Sequence, residues 1–178
     1  MTQPNTQLMI DIETLGTTPG CGILSIAVVP FCTTAPLEPF YERIYPPSNT
    51  IAGLTIDDKT MEWWSSQPLE AYNEAFGGEQ PLSVALKLLA DYVAQFPTAG
   101  IWGNGASFDV PILEAAYAAF KQLPPWSYKQ ARCHRTLIAL APHIQRPAFV
   151  GVKHTALADA QNQAAHAQEI LQWIQNKQ

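Results

Sequence analysis

The chain reads as an α/β protein of three layers, a central mixed sheet that opens as an antiparallel three-stranded meander and carries helices on its flanks. Three observations predict this. Short apolar runs, some with period-two alternation, cluster before residue 46. From about residue 58 onward, apolar residues recur at helical spacing instead. One further short apolar run lies between the later helical segments, so strands come first and helix and strand then alternate.

Each element follows from its local sequence. Residues 8–12, beginning Leu8-Met9-Ile10, form the first strand, and Thr17-Thr18-Pro19-Gly20 supplies turn chemistry after it. The apolar run 22–30 is the second strand; 40–45 alternates apolar and polar residues as the third. Pro46-Pro47-Ser48-Asn49 closes the meander. A helix is expected over 58–67, with Met61, Trp63 and Trp64, and another over 81–96, with Val84, Leu88, Tyr92 and Phe96 at helical spacing. Residues 100–103 read as a short buried strand. After it, Ile112, Leu113, Ala116, Tyr117 and Phe120 mark one helix face, with Ser107 as the expected N-cap. The last helix is expected over 155–173. With no internal repeat, low-complexity segment or linker, residues 1–178 read as a single domain.

Composition narrows the function. An apolar content of 47% with 14% charged residues fits a globular protein. No apolar run approaches the roughly 20 residues that span a bilayer. The first seven residues lack the features of a signal peptide, so no membrane partner and a cytoplasmic location are expected. Cys21, Cys32 and Cys133 are scattered and read as reduced thiols. The net charge of −5 argues against a long duplex, because such binding runs on Lys and Arg contacts to phosphate. If four of the fifteen acidic residues sit in a metal site, eleven remain against ten basic ones. The rest of the surface is then nearly neutral, and bound divalent ions supply the local field that attracts phosphate. A pocket gripping one strand end stays open.

Asp11-Ile12-Glu13-Thr14 directly follows the first apolar run. Residues two apart in a strand share a face, so Asp11 and Glu13 stand side by side. Like charges that close repel and raise each other's pKa, and a hard cation such as Mg²⁺ or Mn²⁺ relieves them. The plain alternative is the solvated end of a strand. Asn104-Gly105-Ala106-Ser107-Phe108-Asp109 lies where a buried strand hands over to a helix, at the sheet rim where α/β proteins bind ligands. Asp109 also suits a first helical turn for purely electrostatic reasons, as does Asp159. Lys153-His154-Thr155-Ala156-Leu157-Ala158-Asp159 opens the last helix, so His154 and Asp159 can face one cavity. His134, His143 and His166 read as structural.

Taken in order, D-x-E, N-G-x-x-x-F-D and H-x-A-x-x-D resemble the DnaQ-like, DEDDh family of 3′→5′ exonucleases. Within it the chain is most similar to a small branch of phage and bacterial exonucleases and exoribonucleases. Asp11-Ile12-Glu13-Thr14-Leu15-Gly16, Trp63-Trp64-Ser65-Ser66-Gln67, Trp102-Gly103-Asn104-Gly105 and Arg135-Thr136-Leu137 carry that likeness, which spans nearly the whole chain. The sequence departs from it at Gly103, where many relatives carry His, and at Cys133, where many carry Asp. Neither position is a ligand.

The resemblance implies a ribonuclease H-like fold and phosphodiester hydrolysis with two divalent metal ions, Mg²⁺ or Mn²⁺. By it, Asp11, Glu13, Asp109 and Asp159 hold the metals and His154 is the general base. Two-metal sites activate a water on one side and stabilise the leaving oxyanion on the other, and imidazole is a natural proton acceptor near neutrality. Substrate contacts are expected from Thr14, Leu15, Gly16, Trp64, Gln67, Asn104 and Phe108, with a place in the core the equal alternative for Leu15 and Phe108. Adjacent helical residues point about a quarter-turn apart, so at most one tryptophan of the pair faces the pocket, and the plain alternative is that one or both anchor the core. The resemblance favours Trp64 in the pocket and Trp63 in the core. The expected substrate is the 3′ end of single-stranded RNA or DNA, released as nucleoside 5′-monophosphates. A catalytically weak nucleic-acid-end binding module and a small-molecule phosphatase are the competing functions. A dead module would have lost a ligand residue, and none is lost. The many alanines and the aromatics leave a homodimer plausible.

Overall fold

In a computed structural model that describes residues 6–177, five strands form one mixed sheet in the order β3-β2-β1-β4-β5. Residues 1–5 of the polar N-terminal segment lie outside the described residues. β1 (Gln7–Thr14) is central, running antiparallel to β2 (Ile23–Phe31) and parallel to β4 (Ile101–Gly103). β3 (Phe40–Arg43) completes the antiparallel meander. β5 (Ala131–Cys133) adds a parallel strand at the other edge. A register shift between Glu13 and Thr14 interrupts the β1–β2 ladder where β1 ends. Such bulges bend the strand and re-aim its side chains.

Alternation along β1 divides its side chains between two cores. Leu8, Ile10 and Ile12 pack with Leu82, Leu86 and Leu89 of α4 (Leu82–Val93) and with Ile112, Leu113 and Tyr117 of α5 (Asp109–Ala119). Met9 faces the other way, into a cluster with Trp102 and the apolar stripe of α7 (Ala156–Gln175). Asp11 and Glu13 continue the Met9 set, so the two-residue period carries both carboxylates toward the α7 side. The sheet is thus the middle of three layers, as the ribonuclease H-like reading expects.

Ala156, Ala160, Ala164 and Ala167 line the buried face of α7. Small side chains let a helix approach a sheet closely, and they bring α7 near enough to touch Asp11 through Gln163. Such alanines left a homodimer plausible from the sequence, but these four are spent inside the protein's own core.

A third, smaller cluster holds Leu15, Leu24, Trp64 and Ala75 beneath α2 (Asp58–Ser65) and α3 (Leu69–Phe76). Asp57 caps α2 by accepting from the Thr60 amide. Short α1 (Pro47–Ile51) contributes Asn49, wholly buried, whose side-chain amide exchanges two hydrogen bonds with the backbone of Ile23. That clamp fixes the start of β2 beside the loop carrying Leu15 and Gly16. α6 (His134–Leu140) follows β5 directly and packs on α7. The predicted bounds hold to within about two residues for most elements. α1, α3, β5 and α6 were not predicted. Ser107 does not cap α5, which begins at Asp109 after Phe108 with no side-chain cap.

Candidate active site

The C-terminal end of β1, the N-terminus of α5 and the N-terminus of α7 meet around an open cavity of about 770 Å³. Asp11, Glu13, Asp109, His154 and Asp159 all line it. Asp11, Glu13 and Asp159 each offer an oxygen within 4.8 Å of the others. Residues 148 positions apart in sequence are joined here because α7 lies along the face of β1.

Three of the four carboxylates are held by a specific partner. Gln163, one helical turn beyond Asp159, donates to Asp11 Oδ1 at 2.7 Å. Asp159 Oδ2 accepts from the backbone N–H of His154 at 2.9 Å. Asp109 Oδ2 accepts from the Asn104 amide at 2.9 Å, and only 2% of the residue is exposed. Gly103 leaves space for that placement, since a Cβ there would stand 2.9 Å from the same Oδ2.

The electrostatics are those of crowded acids. Burial first, then Asp109, Glu13 and Asp159, raise the Asp11 carboxyl well above its ordinary range. Burial, with Asp159 and Asp109, pushes Glu13 up to about 8. Burial lifts Asp109 to about 6 against the lowering effect of backbone N–H donors and of Arg135. Asp159 is also raised by burial. Such a set is stable as carboxylates only with compensating charge, and an all-oxygen donor set fits a hard divalent cation. The residues present suit that group.

His154 adopts a left-handed backbone with φ of +63°, rare for a side-chain-bearing residue and of order 1–3 kcal/mol in cost. The bond to Asp159 offsets that strain. The imidazole meets the indole of Trp63 edge-on, with ring centroids 5.0 Å apart. Trp63 is 41% exposed, whereas Trp64 is 1% exposed and donates its Nε1–H to the Thr14 carbonyl at 2.9 Å. The sequence expectation for the pair is therefore reversed. Trp64 borders the cavity floor from within the core, and Trp63 offers the accessible ring. The quarter-turn between neighbours predicted that one would be buried. The side chosen by α2 depends on the Leu15, Leu24 and Phe76 pocket, which forms only after folding.

Thr14, Gly16, Asn104 and Phe108 line the cavity as expected. Leu15 and Gln67 do not. Leu15 is 2% exposed in the core cluster with Trp64, and Gln67 donates to the Trp63 carbonyl and to Ser66 Oγ. Leu15 alternates with Thr14 and Gly16 and so turns away from them. Gln163, Arg135 and Lys59 were not predicted as site residues, yet they line the cavity. The position of Gln163 four residues after Asp159 was the available signal, because that spacing shares a helix face.

The sequence model of the 3′-5′ exoribonuclease Rv2179c-like domain matches residues 6–171. The chain belongs to this family. It is a 3′-5′ exonuclease, a hydrolase. No curated protein matches the sequence of this exonuclease. Among solved structures it is similar to the nuclease domain of 3′hExo, a DEDDh family member bound to rAMP. That match has a TM-score of 0.68 at 15% identity, over 97% of this chain and 94% of that one. Escherichia coli exonuclease I in complex with a 5cy-dA13 oligonucleotide matches with a TM-score of 0.67 at 19% identity. The exonuclease gives 94% of its length to that match but spans only 40% of exonuclease I. Exonuclease X in complex with 5′ overhanging duplex DNA matches with a TM-score of 0.52 at 16% identity, over 94% of this chain and 92% of that one. At such identities these likenesses show a shared ribonuclease H-like fold.

Proposed function

We propose that the exonuclease, as one domain, removes nucleoside 5′-monophosphates stepwise from the 3′ end of single-stranded nucleic acid, with His154 as general base. The observation that carries this reading is the convergence of Asp11, Glu13 and Asp159 within 4.8 Å in a cavity that also holds Asp109 and His154. Asp11, Glu13, Asp109 and Asp159 would hold two divalent ions, Mg²⁺ or Mn²⁺. When bound, such ions activate water and stabilise the leaving oxyanion.

The chain's own groups do the rest. A water oxygen attacks the phosphorus between the last two nucleotides, and the imidazole of His154 accepts its proton. The bond to the 3′-oxygen of the penultimate nucleotide breaks, so phosphate departs on the 5′ side of the released unit. Gln163 fixes the rotamer of Asp11, and the His154–Asp159 bond fixes the loop that carries the base. Trp63 supplies an exposed aromatic face for the terminal base, with Phe108 at the other wall. The exoribonuclease description of the family favours RNA over DNA, and the oligonucleotide in the exonuclease I complex favours an unpaired strand.

The test is a time course on matched 3′-labelled RNA and DNA oligomers with Mn²⁺, alongside a simple aryl phosphate ester. Stepwise shortening of the oligomers, faster for RNA, is expected, with the ester left intact. Binding without cleavage would instead indicate a module that only holds strand ends, and preferential hydrolysis of the ester a phosphatase.

A further inference from the structure

A second, more enclosed cavity of about 300 Å³ adjoins the first and shares Asn104, His154, Asp159 and Gln163 with it. Its remaining walls include His134, Arg146 and Lys153, from α6 and the segment before α7. Four buried polar atoms of its lining residues have no partner: both ring nitrogens of His134, Gln163 Oε1 and Asn104 Oδ1. His134 is wholly buried and Gln163 is 6% exposed. Leaving a buried polar atom unpaired costs about 1–3 kcal/mol, so the wall of this cavity carries four unmet hydrogen-bonding groups.

The charge on the walls is positive. Arg146 and Lys153 make no ion pair among the described residues. Asp159 is the one carboxylate on the lining, and it already accepts from the His154 amide. Burial, with His166 and Arg146, pushes His134 down to about 4. It is therefore a neutral imidazole near pH 7, with one N–H to give and one lone pair to accept. Guanidinium, ammonium and imidazole N–H together suit the oxygens of a phosphate group. The free carbonyl oxygens of Asn104 and Gln163 suit hydroxyl donors, which a ribose carries. A volume of about 300 Å³ is at the lower end of the range for small-molecule sites.

We propose that this chamber is a phosphate-monoester site that receives the nucleoside 5′-monophosphate after cleavage, with Arg146, Lys153 and His134 on its phosphate. The product assignment rests on the exonuclease reaction above; the anion site itself does not. The chamber shares His154 and Asp159 with the first cavity, so it lies next to the point of release. An occupied chamber retards the next turnover, which makes the enzyme sensitive to its own product.

The test is titration of AMP, inorganic phosphate and adenosine into chelator-treated protein at low ionic strength, followed by calorimetry and by ³¹P line width. Chelation removes any cation that would itself hold phosphate in the first cavity. One AMP per protein is expected, tighter than inorganic phosphate, with no binding of adenosine. Arg146→Ala, an exposed position where folding is not at stake, should weaken AMP at least tenfold, and Arg146→Lys should restore part of that loss. Absence of AMP binding, or binding equal in wild type and Arg146→Ala, overturns the site. Equal affinity for AMP and inorganic phosphate overturns the product assignment. Arg146-dependent AMP binding in a protein that shortens no 3′ end leaves the site standing and sinks the exonuclease mechanism instead.

Discussion

At the scale of single residues, His154 and His166 make a discriminating pair. His154 stands in the cavity, in a left-handed conformation held by Asp159. His166 is 1% exposed and bonds the Ile144 carbonyl through Nε2, against the ring of His134. His154→Ala should therefore lower kcat by about 10²–10⁴, the usual contribution of a positioned base, while oligonucleotide binding persists. His166→Ala should leave kcat near wild type and instead lower the melting temperature. Single-turnover rates and thermal melts of the two variants check this, and a matching loss of kcat in both would remove His154 from its role.

At the scale of elements, α2 divides labour between adjacent tryptophans. Trp64 fills the pocket formed by Leu15, Leu24 and Phe76, so Trp64→Ala should cost about 3–5 kcal/mol of stability through the cavity it leaves. Trp63 packs against the Trp64 and His154 rings and keeps an open face. Trp63→Ala should be nearly neutral for stability yet weaken oligonucleotide binding by about 1–3 kcal/mol, the worth of one stacked base. Denaturant titration beside a binding isotherm separates the two effects. If Trp64→Ala proved the weaker binder and the stabler protein, the orientation of α2 described here would be wrong. The helices legible in sequence were α4, α5 and α7, with longer apolar periods, and the short α2, marked by Met61, Trp63 and Trp64. β5 has only three residues, Ala131–Cys133, two of them exposed, so no apolar run announced it. α6 has seven residues and begins on the buried His134, which lacks the profile of a helix start.

At the scale of the whole molecule, the carboxylate cluster couples metal, proton and fold. The folded-state value of Glu13 is raised from 4.5 to about 8, and that of Asp109 from 3.8 to about 6. A raised value means that stability is full below the unfolded value and declines as pH climbs through the folded one. Metal-free protein should accordingly lose melting temperature between about pH 5 and pH 8, with Glu13 acting over the wider window. Cations replace the protons, so added Mg²⁺ or Mn²⁺ should raise the melting temperature more at pH 8 than at pH 5. A metal effect independent of pH would mean that these acids are not the ligands. In assays, chelation should abolish hydrolysis; Mg²⁺ or Mn²⁺ should restore it and Ca²⁺ should not, because its looser shell misplaces the water. A circular single strand should survive intact, since the proposed reaction needs a 3′ end; nicking of the circle would contradict it.

The sequence by itself determined the chemistry on offer. Three short motifs named Asp11, Glu13, Asp109, His154 and Asp159, and the two-residue period of a strand placed Asp11 and Glu13 on one face. It also determined the meander and the long helices, because periodicity is a local property of neighbouring residues. Tertiary structure alone decided which tryptophan was sealed in the core, that Leu15 turned inward, and that Gly103 clears space for Asp109. It alone brought Gln163 to Asp11 and gathered His134, Arg146 and Lys153 around a second cavity. Those outcomes depend on how α7 and α2 dock on the sheet. Docking is set by the summed shape of residues distant in sequence, which no local pattern records.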